Sequence, residues 1–441
     1  MERQFSDRGL ARAATPEEAG IVVLNTCTVT SAADQDARAA IRRIHRQNPA
    51  CQILVTGCYA QRAPQEIADL PGVTWVVGNS HKQSVAEIAL SSHTHHDTSA
   101  FVPISKLHSV RLHDQEPGQR PTTNDQRLFV SDIFAHTELL AAPVFDAANE
   151  RTRPNLKVQD GCDNRCSFCI IPYVRGQSRS LQLDEAIREV TQLVAAGYRE
   201  VVISGINLGR WGRDCSQSMR FEDLVSAILD RTPLEKLRIS SVEPMDWSDQ
   251  LIRLVAESPR IAKHAHVPMQ SGSDRILRAM HRKYRPWHYR EKIEKIRVSM
   301  PTAAIGADVM VGFPGETDSD FQQTRRLVEA LPLTYLHVFT YSARPGTPAA
   351  AMSEQVPVPV ARERNRILRD VAQQKKLEFM RSFVGRSLEA ITLNVSDDAY
   401  TETLTDNYLK LRIAGKHKAN RWVEAQVLQI SRDSLVGCAA Q

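Results

Sequence analysis

The chain has 441 residues, 42% of them apolar, which is enough for two or three domains that each bury a core. No apolar run approaches the ~18–20 residues of a membrane-spanning helix, and the opening "MERQFSDRGLARAA" lacks the apolar stretch of a secretion signal, so a cytoplasmic protein with no membrane partner is expected. With 56 basic residues against 51 acidic ones, the net charge of +5 says little about nucleic acid by itself, and local clustering has to decide.

The first ninety residues alternate helix and strand patterns. A helix is predicted over 2–13, then a strand over 21–25, a helix over 34–47, a strand over 52–57, a helix over 64–70 and a strand over 74–79. Such alternation implies a small parallel sheet flanked by helices, an N-terminal domain spanning 1–90. Residues 91–150, with "SSHTHHDTSA" and "HDQEPGQRPTTNDQ", are polar and turn-rich and predict a linker or insert, with His93, His95 and His96 on a solvated loop.

Six further strands are predicted between Leu156 and Ser342: "LKVQDG", "EVVISGINL", "KLRISSVEP", "HAHVPM", "AIGADVMVGF" and "YLHVFTYS". The intervening "LDEAIREVTQLVAAG" sets Leu183, Ile187, Val190 and Val194 on one helical face. Six βα units predict a partial (βα)6 barrel over 151–370, with chemistry at the C-terminal ends of its strands. After a basic helix over 361–381, the β-branched tail predicts a small β-barrel, within a domain spanning 371–441. The fold class is α/β, with this β-barrel appended.

Eight cysteines in a cytosolic chain do not read as a disulfide framework, so clustered ones are candidate metal ligands. The densest cluster is "VQDGCDNRCSFCIIPYVRG", where Cys162, Cys166 and Cys169 follow a C-x3-C-x2-C spacing at the end of the first barrel strand. Three thiolates on one loop suit iron–sulfur or zinc. A structural zinc needs four protein ligands, and residues 151–180 hold no fourth Cys and no His, which favours a cluster with one open iron.

This spacing on the first strand of such a barrel resembles the radical S-adenosylmethionine superfamily. The resemblance implies a 4Fe-4S cluster that chelates S-adenosylmethionine and cleaves it to a 5′-deoxyadenosyl radical. It further implies cofactor contacts from Phe168, before the third Cys, from Gly205 and Asn207 in "SGIN", and from Glu243 in "SSVEP". Gln270 and Ser271 in "VPMQSGS" and Gly312 in "VGFPGET" complete that set. Each motif is also ordinary turn chemistry on its own; their shared place at strand ends is what joins them.

Together with "NTCTVT", "GCYAQ", "SGINLGRWG" and "HVPMQSGSDRILRAM", these motifs resemble the methylthiotransferases over nearly the whole chain apart from 91–135. Within them the likeness is to the subgroup acting on N6-threonylcarbamoyladenosine in tRNA, next to the anticodon. The resemblance implies a second 4Fe-4S cluster in the N-terminal domain, C–H activation at adenine C2, sulfur insertion, and methylation by a second S-adenosylmethionine. It also implies a C-terminal barrel of the TRAM type that grips RNA, an electron donor such as flavodoxin or ferredoxin, and a monomer. One rival is a relative that modifies an aspartyl side chain of ribosomal protein S12. Another, of a different class, is a non-catalytic metal-containing RNA-binding protein.

Cys27 and Cys58 each end a predicted parallel strand, so both thiols fall at one sheet edge, where ligands bind in open α/β sheets. Cys51 lies at the other end of the second strand, roughly 23 Å away at ~3.3 Å per residue, and cannot share their cluster. Cys215 and Cys438 are expected to be free thiols. The family supplies a third N-terminal cysteine after an opening strand that this chain lacks, so the second cluster is expected to be incomplete. Met1 is accordingly expected to be an internal methionine, with about twenty residues, one strand and its turn, missing ahead of it.

Two basic stretches bear on RNA. Residues 274–297 carry nine Lys/Arg against three Asp/Glu, interleaved with Tyr284, Trp287 and Tyr289, and residues 361–386 carry eight against three. Phosphate tracking with aromatic stacking is the functional reading of such runs, and a solvated helix face is the ordinary one.

Overall fold

Short β-branched runs separated by amphipathic helices can pair only in parallel, because each helix must return the chain to the same end of the sheet. A computed structural model describes residues 1–91, 127–136, 139, 152–397 and 399–440. Two compact units emerge, residues 1–133 and residues 134–441.

In the first unit, β1 (Ile21–Thr26), β2 (Gln52–Gly57), β3 (Val73–Val77) and β4 (Leu128–Phe129) form a parallel sheet in chain order. The helix Ser31–Gln47 starts where the Thr30 side chain accepts from Ala33 N–H at 3.2 Å. It buries Ala37, Ile41 and Ile44 against Ile53 and Val55. The helix predicted over 2–13 is a single turn and a half, Glu2–Ser6. It stops at Gly9, whose φ of 80° lets Leu10 N–H fold back onto the Phe5 carbonyl. Most of the insert predicted over 91–150, including His93, His95 and His96, lies outside the described residues. Its Leu128–Phe129 stretch departs from a linker by pairing with Val76 and Val77, which covers the free edge of β3.

The second unit opens with β5 (Asn155–Asp160), β6 (Arg179–Ser180), β7 (Glu200–Gly205) and β8 (Lys236–Ile239). Next come β9 (His264–His266), β10 (Ala304–Val311) and β11 (Tyr335–Thr340). The sheets β6-β5-β7-β8 and β9-β10-β11 are parallel throughout except for the short β6. Isolated parallel bridges Leu237–Ile261 and Ser241–His266 carry the order from β8 to β9, giving the six predicted parallel strands in sequence. Along each strand one face is apolar (Leu156, Val158, Val201, Ile203, Ile305, Ala307 and Val309) and packs on the helices. The alternate residues, among them Lys157, Gln159, Arg238, His266 and Asp308, line the opposite face.

Five antiparallel-rich strands close the C-terminal barrel: β12 (Ser387–Ser396), β13 (Tyr400–Thr405), β14 (Lys410–Ala414), β15 (Trp422–Ser431) and β16 (Ser434–Ala439). The basic helix, Val358–Arg381, packs along β11 and runs unbroken through the 370/371 boundary expected from sequence. The turn between β13 and β14 seats on the N-terminal ends of the parallel strands. There Arg238 Nη1 donates to the Asp406 carbonyl at 3.0 Å while its Nε donates to Glu200 at 2.6 Å. Lys236 pairs with Glu389 at 2.7 Å, and the Tyr408 ring lies 4.5 Å from that of His264. The three-thiol loop leaves the opposite, C-terminal end of β5.

Glu200 is fully buried and Arg238 is 2% exposed, so Glu200→Ala strands a buried cation and is expected to cost about 3–5 kcal/mol. Denaturant unfolding of the full chain measures this, and protease cleavage between Arg381 and Ser387 should quicken. An unchanged unfolding midpoint would show that this pair does not seat the barrel.

Candidate active site

The three-thiol loop leaves β5 through Gly161, at φ 74°, where a Cβ would strike the Gln177 carbonyl. Asp160 anchors the departure: one carboxylate oxygen accepts from Gly161 N–H and Arg175 Nη1, both at 3.0 Å, and the other from Lys157 Nζ at 2.7 Å. Burial alone would raise this carboxyl, but Lys157 and Arg175 outweigh it and hold it well below the usual carboxylate range. Cys162 N–H donates to the Gly176 carbonyl at 3.1 Å, and Cys169 N–H to the Cys166 carbonyl at 3.1 Å. The middle of the loop is clasped by the end of helix Asp274–Ala279. Ser167 N–H donates to the Met280 carbonyl at 3.1 Å, Ser167 Oγ to the Ala279 carbonyl at 2.7 Å, and His281 Nδ1 lies 3.1 Å from the Arg165 carbonyl.

Cys162, Cys166 and Cys169 are all free and partly exposed. Burial, with the neighbouring Cys166 and Cys162 adding to it, pushes the Cys169 thiol up to about 12. Among the described residues no group of three or more His, Cys, Asp or Glu side chains is drawn together as a ready-made metal site, so the three thiols share one loop without converging on a point.

Neighbouring strand ends bring the other predicted residues to this loop unequally. Gly205 pairs with Gln159 across a β-bulge, and a Cβ there would lie 2.8 Å from that of Gln159. Gln159 went unassigned in the sequence, yet its amide joins the pieces. It donates to the Gly161 carbonyl at 2.8 Å and Ser178 Oγ at 2.9 Å, and accepts from Asn207 N–H at 2.7 Å. Asn207 Nδ2 in turn lies 3.6 Å from Cys162 Sγ. Glu243 pairs with Arg282, whose Nη1 donates to Cys166 Sγ at 3.3 Å. Gln270, at φ 63°, has a buried amide oxygen with no partner among the described residues, and so does Asn207.

Three predicted residues are held within the scaffold. Phe168 packs edge-on to Phe313, their centroids 6.5 Å apart. Ser271 Oγ is buried, 3.2 Å from Thr324 Oγ1, and accepts from Ser273 N–H at 3.2 Å. Gly312, at φ 74°, donates its N–H to Glu316 at 2.7 Å, and a Cβ there would meet that of Ala361 at 2.6 Å.

Beside Cys166 the surface dips into a cavity lined by Arg210, Glu243, Asp246, Arg282 and Lys283. A second cavity shares Arg210 and Lys283 with it and reaches Asn207 and Arg213. Asp246 orients Arg210 at 3.2 Å and Arg213 at 3.3 Å. The charged lining comes from three separate segments, which is why no local motif announced it.

In the N-terminal unit the parallel register Thr26–Gly57 puts Cys27 and Cys58 one residue beyond the same rung, at one sheet edge. Cys27 is exposed and accepts from Val29 N–H at 3.4 Å; Cys58 is buried and accepts from Asn79 Nδ2 at 3.4 Å. Cys51 is packed into the apolar cluster at the opposite strand end, and Cys215 and Cys438 are free thiols elsewhere.

The first basic stretch is largely absorbed into the fold, and the second only in part, since Arg362, Arg369, Arg381 and Arg386 stay exposed. Tyr284 and Tyr289 are at most 1% exposed, and their hydroxyls donate to the Met269 and Val267 carbonyls at 2.8 and 2.9 Å, so neither ring is free to stack on a base. Trp287 remains 54% exposed. Arg275, Arg278, Arg290 and Lys295 are taken up by Asp320, Asp274, Glu294 and Asp249. In the later helix Arg364 is buried on Glu316 at 2.7 Å, and Lys375 caps the Glu329 and Leu331 carbonyls at 2.9 Å.

Residues 156–328 match the Radical SAM superfamily, and residues 1–78 match the uncharacterized protein family UPF0004. Threonylcarbamoyladenosine tRNA methylthiotransferase MtaB of Bacillus subtilis (strain 168) is 36% identical over 93% of this chain and 86% of its own length. The protein of the same description from Aquifex aeolicus (strain VF5) is 33% identical over 97% of this chain and 95% of its own. A tRNA-2-methylthio-N(6)-dimethylallyladenosine synthase from Thermobifida fusca (strain YX) is 33% identical over 95% of this chain and 78% of its own. The radical S-adenosylmethionine methyltransferase TsrM from Kitasatospora setae, solved with tryptophan substrate and a SAM analog, shares the fold at a TM-score of 0.55. Its identity is 16%, over 79% of this chain and 66% of that one. With its three-thiol loop at the end of the first barrel strand, this chain belongs to the radical S-adenosylmethionine tRNA methylthiotransferases.

Proposed function

We propose that this enzyme transfers a methylthio group to C2 of N6-threonylcarbamoyladenosine in tRNA, adjacent to the anticodon. The observation that carries the choice is the charged lining of the cavity beside Cys166, from Arg210, Glu243, Asp246, Arg282 and Lys283. A threonylcarbamoyl substituent brings a carboxylate and a hydroxyl, which such a wall can pair. A dimethylallyl substituent offers neither, so it would desolvate these charged groups without replacing their hydrogen bonds to water, at a cost of about 1–3 kcal/mol.

The residues present fit the superfamily's cluster and cofactor. Three free thiols on one loop supply the thiolates, and the orphaned amide oxygens of Asn207 and Gln270 are acceptors awaiting donors. Cys162, Cys166 and Cys169 would hold the 4Fe-4S cluster, with S-adenosylmethionine among Gly205, Asn207, Glu243 and Gln270. When bound, the pair supplies one-electron cleavage of the sulfonium and the hydrogen abstraction that opens the substrate to sulfur. The protein's own part is placement. Asp160 and Gln159 fix the loop, Asn207 donates toward Cys162, and Glu243 offers a carboxylate beside Cys166 to an ammonium or hydroxyl donor.

Cys27 and Cys58 are assigned as two of the ligands of a second cluster, incomplete in this chain, from their shared sheet edge. The C-terminal barrel is assigned to RNA grip as a TRAM-like module, and a flavodoxin or ferredoxin to electron supply; the enzyme is taken to act as a monomer.

Mass spectrometry of tRNA nucleosides tests the substrate. Cells lacking the gene should lose 2-methylthio-N6-threonylcarbamoyladenosine and accumulate its unthiolated precursor; loss of the dimethylallyl derivative instead would reject the reading. Cys27→Ala/Cys58→Ala should still form 5′-deoxyadenosine yet drop methylthio product to background, whereas Cys166→Ala should lose both. Full product from the double variant would remove the second cluster from these residues.

A further inference from the structure

Arg282 was one of nine cations in a stretch that reads as an RNA-facing patch, yet it is 8% exposed and turned away from solvent. Its Nη1 donates to Cys166 Sγ at 3.3 Å, its Nη2 pairs with Glu243, and its guanidinium lies 5.0 Å from the centroid of the Tyr284 ring. Nε is buried with no partner among the described residues. A guanidinium does not deprotonate in a protein, so this is a permanent buried charge. Buried charges are tolerated only when paired, and Glu243 supplies one formal anion. The Cys166 thiolate that iron ligation requires supplies a second. Its position is not incidental to a flexible side chain: Arg282 N–H donates to the Leu277 carbonyl at 2.8 Å, and Met280 and His281 just before it clasp Ser167 and Arg165 of the loop.

We infer that Arg282 sets the reduction potential of the cluster held by Cys162, Cys166 and Cys169, as a fixed buried cation hydrogen-bonded to the Cys166 sulfur. An electron added to the cluster falls beside a positive charge in a poorly solvated site, where the attraction is far larger than in water. The charged N–H to sulfur bond also draws electron density from the ligand. Both effects favour the reduced cluster, while the Glu243 carboxylate opposes them by neutralising part of the charge. Arg282 is thus a positioning and tuning residue that acts through Cys166, and Glu243 is its counterweight.

EPR-monitored potentiometric titration of the anaerobically reconstituted full chain tests this. The titrations are run in a Cys27→Ala/Cys58→Ala background, so that only the cluster of the three-thiol loop is read whatever the N-terminal cysteines do. Arg282→Gln should make reduction at least tenfold less favourable, a shift of about 59 mV to more negative potential for one electron. Arg282→Lys, which keeps the charge, should recover most of the shift, and Glu243→Gln should move the potential in the positive direction. A wild-type potential in Arg282→Gln at full iron content overturns the inference, as do Arg282→Gln and Glu243→Gln shifting the same way. If Arg282→Gln fails to hold the cluster, Glu243→Gln decides, because an unshifted potential there removes the charge argument.

Discussion

Everything at the active site depends on the Asp160 carboxylate at the end of β5. A ten-residue loop carrying three cysteines has no secondary structure to satisfy its backbone, so its start must be tied by side chains. Asp160 does this by accepting from Gly161 N–H while two cations, Lys157 and Arg175, keep it ionised. Gln159, one residue earlier, adds a ligature across to Asn207 and to the return strand through Ser178. The loop's middle is then closed from the far side of the site by Ala279, Met280 and His281. A loop tied at both places can present three thiols without paying reorganisation at the moment of ligation.

The two ends of the parallel strands carry different kinds of polar residue. At the N-terminal ends, Glu200, Arg238, Lys236 and Asp406 are paired with one another and with the turn of the C-terminal barrel. Those groups are held by ion pairs, although Glu200 Oε2 and Asp406 Oδ1 have no hydrogen-bond partner among the described residues. At the C-terminal ends, the amide oxygens of Asn207 and Gln270 are buried without one, and Arg210 and Lys283 face open cavities. What separates the two ends is that the N-terminal groups are ionic pairs covered by the barrel turn, whereas the C-terminal orphans Asn207 and Gln270 are neutral amides, with Asn207 lining a cavity. Ser271 and Gly312 differ from those orphans: both lie at catalytic strand ends, but their polar groups are already bonded to Thr324 and Glu316.

The basic stretches show why a one-dimensional count of charge misleads. Nine cations over residues 274–297 look like a phosphate track, but the stretch folds as two helices joined by a clasp. Arg278, Arg285 and Arg290 pair with acids of the stretch itself, while two others, Arg275 and Arg282, neutralise Asp320 and Glu243 from other segments. The pairing partners are invisible until the barrel brings them together, and the same holds for Arg364 with Glu316.

By itself the sequence determined the alternation of strand and helix, the parallel pairing that follows from it, and the three-thiol loop at the first barrel strand. It also determined that Cys27 and Cys58 share a sheet edge that Cys51 cannot reach. These are short-range properties: hydrophobic period, chain reach and ligand spacing depend on neighbours within a few residues. Only the tertiary structure decided which polar groups are spent. It took Tyr284 and Tyr289 out of solvent, made Gln159 the link between two strand ends, and set Arg282 against Cys166. Those outcomes depend on desolvation and on partners more than a hundred residues apart, as Arg282 and Cys166 are, and local pattern carries no information about either.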